Sequence, residues 1–200
     1  MKNNSSVKNR INAKDLINVG IFAVLYGVIC MAVSMLGFIP VFIPLLAVLI
    51  PFFGGIPYML FLTRVKKFGM IWIMAVIMGI LMFVGGMGTI ALPTSILFGL
   101  LADLISRSGG YSSAKKSVLG HGVFAMWMIG NFIPIVINRE AYTATLISGG
   151  YGSEYADALM KLMPDWILPV LLVCCFVFGI LGGLLGRALL KKHFVRAGIA

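Results

Sequence analysis

Long uninterrupted apolar runs decide what this chain can become. Between residues 16 and 190 they follow one another with few polar breaks, and most contain no charged side chain. A bilayer core of about 30 Å needs roughly 20 helical residues, which is the length of these runs. In hydrocarbon every backbone N–H and C=O must be satisfied within the protein, so only helices or a closed barrel can cross. A barrel strand is about ten residues long and alternates apolar with polar positions. The runs here are longer and do not alternate, which predicts an all-α, polytopic membrane protein. Composition agrees: 60% of the 200 residues are hydrophobic and 11% are charged, too little charge to cover a soluble domain.

Six transmembrane helices are expected, at about residues 16–37, 39–63, 69–84, 89–106, 117–137 and 166–190, in one integral membrane domain covering 1–200. The second contains Pro40, Pro44, Pro51, Gly54, Gly55 and Pro57, and reads either as one kinked crossing or as two half-helices broken near Pro51. The third ends in a turn at Gly85, Gly86, Met87 and Gly88, and a long polar segment, 138–165, separates the last two crossings.

Basic residues test this count, because Lys and Arg are retained on the cytoplasmic side. With the amino terminus inside, the inner segments carry Lys2, Lys8, Arg10, Lys14, then Arg64, Lys66, Lys67, then Arg107, Lys115, Lys116, then Arg187, Lys191, Lys192, Arg196. Only Arg139 and Lys161 fall outside, together with four of the six acids, Glu140, Glu154, Asp157 and Asp165. A wrong helix count would scramble this alternation. Both termini are therefore expected in the cytoplasm, and the net charge of +10 needs no nucleic acid to explain it. Residues 1–15 are polar and basic, and the apolar run after them is too long for a removable signal peptide. Cys30, Cys174 and Cys175 lie inside apolar runs without metal-ligand spacing, and read as packing residues.

Three faces stand out. Gly20, Ala23, Gly27, Cys30 and Ser34 line one side of the first helix, where another helix can approach closely, either within the bundle or from a partner. Cys175, Gly179, Gly182, Gly183 and Gly186 form a similar set in the last. Trp127, Asn131, Pro134 and Asn138 share a face of the fifth helix, and an amide within a span must find protein, water or ligand. The following segment adds Arg139, Glu140, Tyr142, Tyr151, Glu154, Tyr155 and Asp157, with Asp165 and Trp166 at its end. Long loops of this kind often cover binding sites, and the glycines of 148–152 offer a hinge. Asp103 reads as a helix-surface pair with Arg107 or as a coupling residue, and His121 as a packed polar residue. There is no phosphate-binding Gly-Lys-Ser/Thr loop, no His-Glu-x-x-His and no nucleophile elbow. No enzyme activity, cofactor or metal is expected, and the chain reads as a binder that takes energy from a partner.

Several stretches, in order, carry a family resemblance: Lys14-Asp15-Leu16, Leu100-Leu101-Ala102-Asp103, Gly110-Tyr111-x-Ser113-x-Lys115-Lys116, and Leu181-Gly182-Gly183-Leu184-Leu185-Gly186. Leu189-Leu190-Lys191-Lys192-His193-Phe194 completes the set. Through them the chain resembles the substrate-binding (S) subunits of energy-coupling factor (ECF) transporters, and most closely the Trep_Strep group, the MptD-type S components. The resemblance implies six membrane helices, capture of a small vitamin-like or micronutrient molecule from outside, and docking on a transmembrane coupling (T) subunit with two ATPase subunits in the bacterial cell membrane. It implies docking through small residues of helix one, here Gly20, Ala23 and Gly27, where Ala23-x-x-x-Gly27 departs from the usual Ala-x-x-x-Ala. It directs substrate binding to Thr94, Ser95, Trp127, Asn131, Asn138, Arg139, Tyr142 and Trp166. Two other readings stay open: a membrane-embedded enzyme using His121 with Asp103, and an assembly factor whose small-residue seams bind other helices.

Overall fold

A computed structural model describes residues 11–65, 67–86 and 89–194. Lys2, Lys8, Arg10, Lys66, Met87, Gly88 and Arg196, used above for topology, lie outside the described residues. Among those described the chain is all-helical, without strands.

Helix α1 (Ala13–Ser34) starts at a capping box, in which the Asn12 side chain accepts from the Asp15 N–H and the Asp15 carboxylate accepts from the Asn12 N–H, both at 2.9 Å. It tightens into a 3-10 turn, Met35–Phe38. Helix α2 (Phe42–Arg64) then runs unbroken through Pro51 and Pro57, so the second apolar run is one helix. Next come α3 (Met70–Val84) and α4 (Ala91–Ser108). Helix α5 (Ala114–Ala125) passes through a 3-10 turn, Met126–Met128, into α6 (Ile129–Ile137).

The polar segment expected as a loop is a helical hairpin, α7 (Arg139–Ser148) and α8 (Ser153–Leu162), joined by a turn in which Gly150 and Gly152 take φ of +89° and +79°. The last helix is α9 (Ile167–Leu189). Among the described residues, four helical stretches are long and apolar enough to cross a membrane: Ala13–Phe38, Phe42–Arg64, Ala114–Ile137 and Ile167–Lys192. Helix α3 is a shorter apolar helix, and α4 carries Asp103 and Arg107 near its end.

Glycine decides how closely the helices pack. A Cβ on Gly55 of α2 would lie 2.1 Å from the Gly182 carbonyl of α9, and one on Gly182 would lie 2.4 Å from the Phe52 carbonyl oxygen. The two helices thus meet backbone to backbone. The small-residue set of the last helix is buried in this seam and against α5, as membrane bundles favour where helices cannot rely on water to drive them together.

Polar contacts sort to two ends. At one, the basic end, Lys67 pairs with Asp15 at 2.6 Å, joining the α2–α3 connection to the start of α1. Beside it the buried Asp103 carboxylate of α4 accepts from the Gly69 N–H at 2.8 Å, the Trp72 N–H at 3.2 Å and the Tyr111 hydroxyl at 2.7 Å. No pair with Arg107 forms; that guanidinium lies over the Phe68 ring, 5.0 Å from its centre. At the other end, the Tyr155 hydroxyl donates to the Gly37 carbonyl, fastening α8 to the α1–α2 turn.

Candidate functional site

The second end holds a half-open cavity of about 300 Å³. Its walls follow from where helices stop. Helix α1 ends at Ser34 and its 3-10 continuation brings Met35, Gly37 and Phe38 across the mouth; the first half of α2 adds Ile43, Leu46 and Ile50. The 3-10 turn in the fifth apolar run rotates Trp127 and Met128 inward, and α6 adds Asn131, Phe132 and Ile135. The α7–α8 hairpin closes it with Tyr142, Leu146, Tyr151 and Tyr155. An aromatic chain runs along this cover: Phe38 stacks on Tyr151 at 6.2 Å, and Tyr151 meets Tyr155 at 4.8 Å. Burial, and then the neighbouring Tyr151 and Tyr142, push the Tyr155 phenol up to about 12, so it remains a neutral donor to Gly37 at physiological pH.

The polar side chains in and beside the lining are few. Asn131 donates through Nδ2 to the Met128 carbonyl at 3.3 Å, which leaves Oδ1 buried without a partner. Trp127 is 1% exposed, and its indole N–H lies beside the buried Tyr26 hydroxyl of α1. Among the described residues, no Asp, Glu, Lys, Arg or His lines the cavity.

Of the residues singled out by sequence, Trp127, Asn131 and Tyr142 come together here. The others sit elsewhere. Thr94 is held against the Ile90 and Ala91 carbonyls and reaches the Trp127 carbonyl at 2.9 Å, where it braces the turn that carries Trp127. Ser95 is fully buried against Gly79 of α3 and donates to the Leu92 carbonyl. Asn138 is exposed at the α6–α7 junction, and Trp166 is 69% exposed at the start of α9. Arg139 points to the end of α8, donating to the Met160 carbonyl at 2.6 Å and to the Met163 carbonyl, with Asp165 at 3.2 Å. It clamps the two feet of the hairpin as a cation at a helix C-terminus. Arg139→Ala is expected to raise hydrogen exchange several-fold across 149–165, with α2 and α9 unchanged; uniform protection would contradict the clamp.

On α1, Ala23 is 1% exposed and faces the protein's own bundle. A Cβ on Gly27 would touch Met78 at 3.9 Å, while one on Gly20 would meet nothing within 4 Å. The outward face of α1 is apolar, with Ile17, Ile21, Val24, Val28 and Met31 all more than half exposed. The candidate pair His121 and Asp103 does not line the cavity; His121 is fully buried, with Nδ1 2.6 Å from the Gly179 carbonyl of α9.

Sequence reasoning missed much of the lining, including Cys30, Ser34, Phe38, Met82 and Phe132. The signal available was the 3-10 turn glycine, Gly37, ahead of Pro40; the apolar lining residues themselves look like any core face.

No curated protein and no solved structure matches the chain. A family model described as a hypothetical bacterial integral membrane protein, Trep_Strep, matches residues 13–196. That span takes in every helix above and every residue lining the cavity, and the chain belongs to the Trep_Strep family of bacterial integral membrane proteins.

Proposed function

We propose that this protein is the substrate-binding (S) subunit of an ATP-driven ECF-type importer in the bacterial cell membrane. It captures a small vitamin-like or micronutrient molecule from outside and delivers it by docking on a coupling (T) subunit with two ATPase subunits. The observation that carries this reading is a half-open cavity at one end of an apolar helical bundle, lined by no charged side chain among the described residues and covered by the α7–α8 hairpin. Small-molecule sites are concave, mainly apolar and furnished with a few directed polar groups, which describes this one.

In this reading the chain crosses six times with both termini cytoplasmic. Helices α3 and α4 rise only ~22 and ~27 Å, and cross as a packed pair with polar ends at the interfaces. The cavity then opens outside, and the basic end lies within reach of cytoplasmic ATPases. The charge distribution supports this, since Lys14, Arg64, Lys67, Arg107, Lys115, Lys116, Arg187, Lys191 and Lys192 all belong to the basic end.

Docking is tested by co-purification of the tagged chain with the coupling subunit and ATPases of its host. Gly20 is the position to change, because a Cβ added there meets nothing in the chain within 4 Å, whereas Leu at the buried Ala23 would disturb the bundle. Gly20→Leu is expected to reduce recovered complex by about tenfold, roughly 1.4 kcal/mol, with thermal stability unchanged. A folded wild-type chain that recovers no coupling subunit refutes the importer reading.

A further inference from the structure

We infer that the groove between the first turns of α1 and the last turn of α2 is a binding site for an anionic phospholipid of the cytoplasmic leaflet, its phosphate held between Lys14 and Arg64. From the importer reading this takes only the placement of the basic end at the cytoplasmic surface; it needs neither a substrate nor a coupling subunit.

Chain order builds the groove. Helices α1 and α2 are joined by the short 3-10 turn and pack against each other, so the start of one lies level with the end of the other. Lys14 is the second residue of α1 and Arg64 the last of α2, and both line one open groove with Asn18, Ile21, Phe22 and Thr63.

The lining changes character with depth. Along α1 it passes from the cation of Lys14 to the amide of Asn18, then to the apolar Ile21 and Phe22. At 1.5 Å per residue these levels stand roughly 6 Å and 11 Å below Lys14. A phospholipid has the same order: phosphate, then glycerol esters, then acyl chain. An amide in an apolar helix needs a polar partner, and ester carbonyls lie at the level of Asn18. The deepest wall is apolar and firm. Ile21 is 52% exposed, whereas Phe22 is buried against Phe61 of α2 with ring centres 5.5 Å apart.

Charge is one-sided. Among the described residues no Asp or Glu lines the groove. Asp15, beside Lys14 in sequence, is engaged by Lys67 at 2.6 Å and by the Asn12 N–H. Thr63 donates its proton to the Leu60 carbonyl at 2.8 Å, so it offers a headgroup only an acceptor, which suits a headgroup hydroxyl. The phosphate is left to the two cations, and basic side chains at a membrane surface attract anionic lipid. A free phosphate would gain nothing from the Ile21 and Phe22 wall, which is what selects a lipid.

The test is native mass spectrometry of the full chain from detergent, with palmitoyl-oleoyl phosphatidylglycerol or palmitoyl-oleoyl phosphatidylcholine added. The first phosphatidylglycerol is expected to bind about tenfold or more tighter than phosphatidylcholine. Lys14→Gln with Arg64→Gln should erase most of that preference, and Lys14→Arg with Arg64→Lys, which keeps both charges, should retain it. Melting temperatures check that these variants fold; if the first pair is unstable, Lys14→Gln alone is read, with a loss of several-fold expected. Lys115→Gln with Lys116→Gln removes equal charge from the same end, outside the groove, and should leave the preference intact. Glycerol phosphate at equal concentration should not displace the lipid. Equal binding of the two lipids overturns the inference, as does a preference that survives in the glutamine pair at 14 and 64. Equal loss in the Lys115 and Lys116 variant overturns it by showing diffuse surface charge, and displacement by glycerol phosphate by showing a free-anion site. A glutamine pair that binds lipid as wild type but no longer recovers the coupling subunit assigns the groove to an acidic partner segment, and overturns it as well.

Discussion

Gly182→Leu is expected to abolish the folded protein. The contact between α2 and α9 is made of backbone: a first side-chain carbon at residue 182 would lie 2.4 Å from the Phe52 carbonyl oxygen and 2.5 Å from that of Pro51. Neither can step aside, because both belong to the interior of a helix that also carries Pro51 and Pro57. Overpacking a core usually costs about 1–3 kcal/mol, and there the neighbours are side chains that can shift rotamer. Here two helix axes would have to separate, which places the change among the rare losses above about 4 kcal/mol. The expected result is loss of the monodisperse peak on size exclusion in mild detergent. Gly182→Ala should already lower the melting temperature markedly. Gly20→Ala, on the open face of α1, is the matched control and should change nothing. A Gly182→Leu protein that elutes and melts like wild type would mean that α2 and α9 do not meet as described.

Asp103→Ala should be the second most damaging change. This carboxylate caps α3 from a neighbouring helix, holding the Gly69 and Trp72 N–H groups with one oxygen and the Tyr111 hydroxyl with the other. The first turn of any helix has N–H groups without intrahelical partners, and a negative charge there also suits the helix dipole. The sequence invests in this contact: Tyr111 adopts φ of +55°, a left-handed conformation that costs a side-chain-bearing residue about 1–2 kcal/mol, and its hydroxyl reaches the carboxylate. Burial and then the Asp103 hydrogen bond raise the Tyr111 phenol, so it stays a donor through the physiological range.

Removing the acceptor strands three donors, and loss of one member of a buried charged network typically costs about 3–5 kcal/mol. Arg107→Ala is the comparison that separates this cap from a simple helix-surface pair. The guanidinium lies over the Phe68 ring, a contact whose removal should cost under about 1 kcal/mol. Equal melting temperatures for the Asp103 and Arg107 variants would contradict the cap.

The all-helical architecture was legible because apolar runs of membrane length leave the backbone so few options. The hairpin was not. Helices α7 and α8 are ten residues each, with glycine between them and charged residues on them, and short polar helices of this kind gain their stability from docking rather than from their own propensity. Pro51 and Pro57 likewise left the second run open between a kinked helix and a broken one; its contact with α9 is what a single sequence does not display.

At the site, Trp127 and Asn131 could be found because an amide in an apolar run stands out against its surroundings. Phe38, Met82 and Phe132 could not, since an apolar side chain facing a void reads like one facing a neighbour. Arg139 illustrates the converse. A lone basic residue beside a binding region invites an anion, yet backbone carbonyls at the end of α8 occupy it. Asp103 was visible as an oddity, but its partners lie more than thirty residues away in the chain at Gly69 and Trp72.

The way the hairpin is fastened sets a division of labour in time. Its feet are clamped by Arg139, whereas its tip is held by the Tyr155–Gly37 hydrogen bond, the stacking of Tyr151 on Phe38 and the packing of Leu146 and Ala156. Releasing the tip breaks one neutral hydrogen bond, worth about 0.5–1.5 kcal/mol net, and one aromatic contact of about 0.5–1.5 kcal/mol, and exposes the packed Leu146 and Ala156. The glycine-tight seam between α2 and α9 is not involved. In the importer reading, occupancy of the cavity turns over on the fast clock of the hairpin tip while the bundle persists on the slow clock of unfolding, and substitutions at the tip should tune residence time without touching the lifetime of the fold.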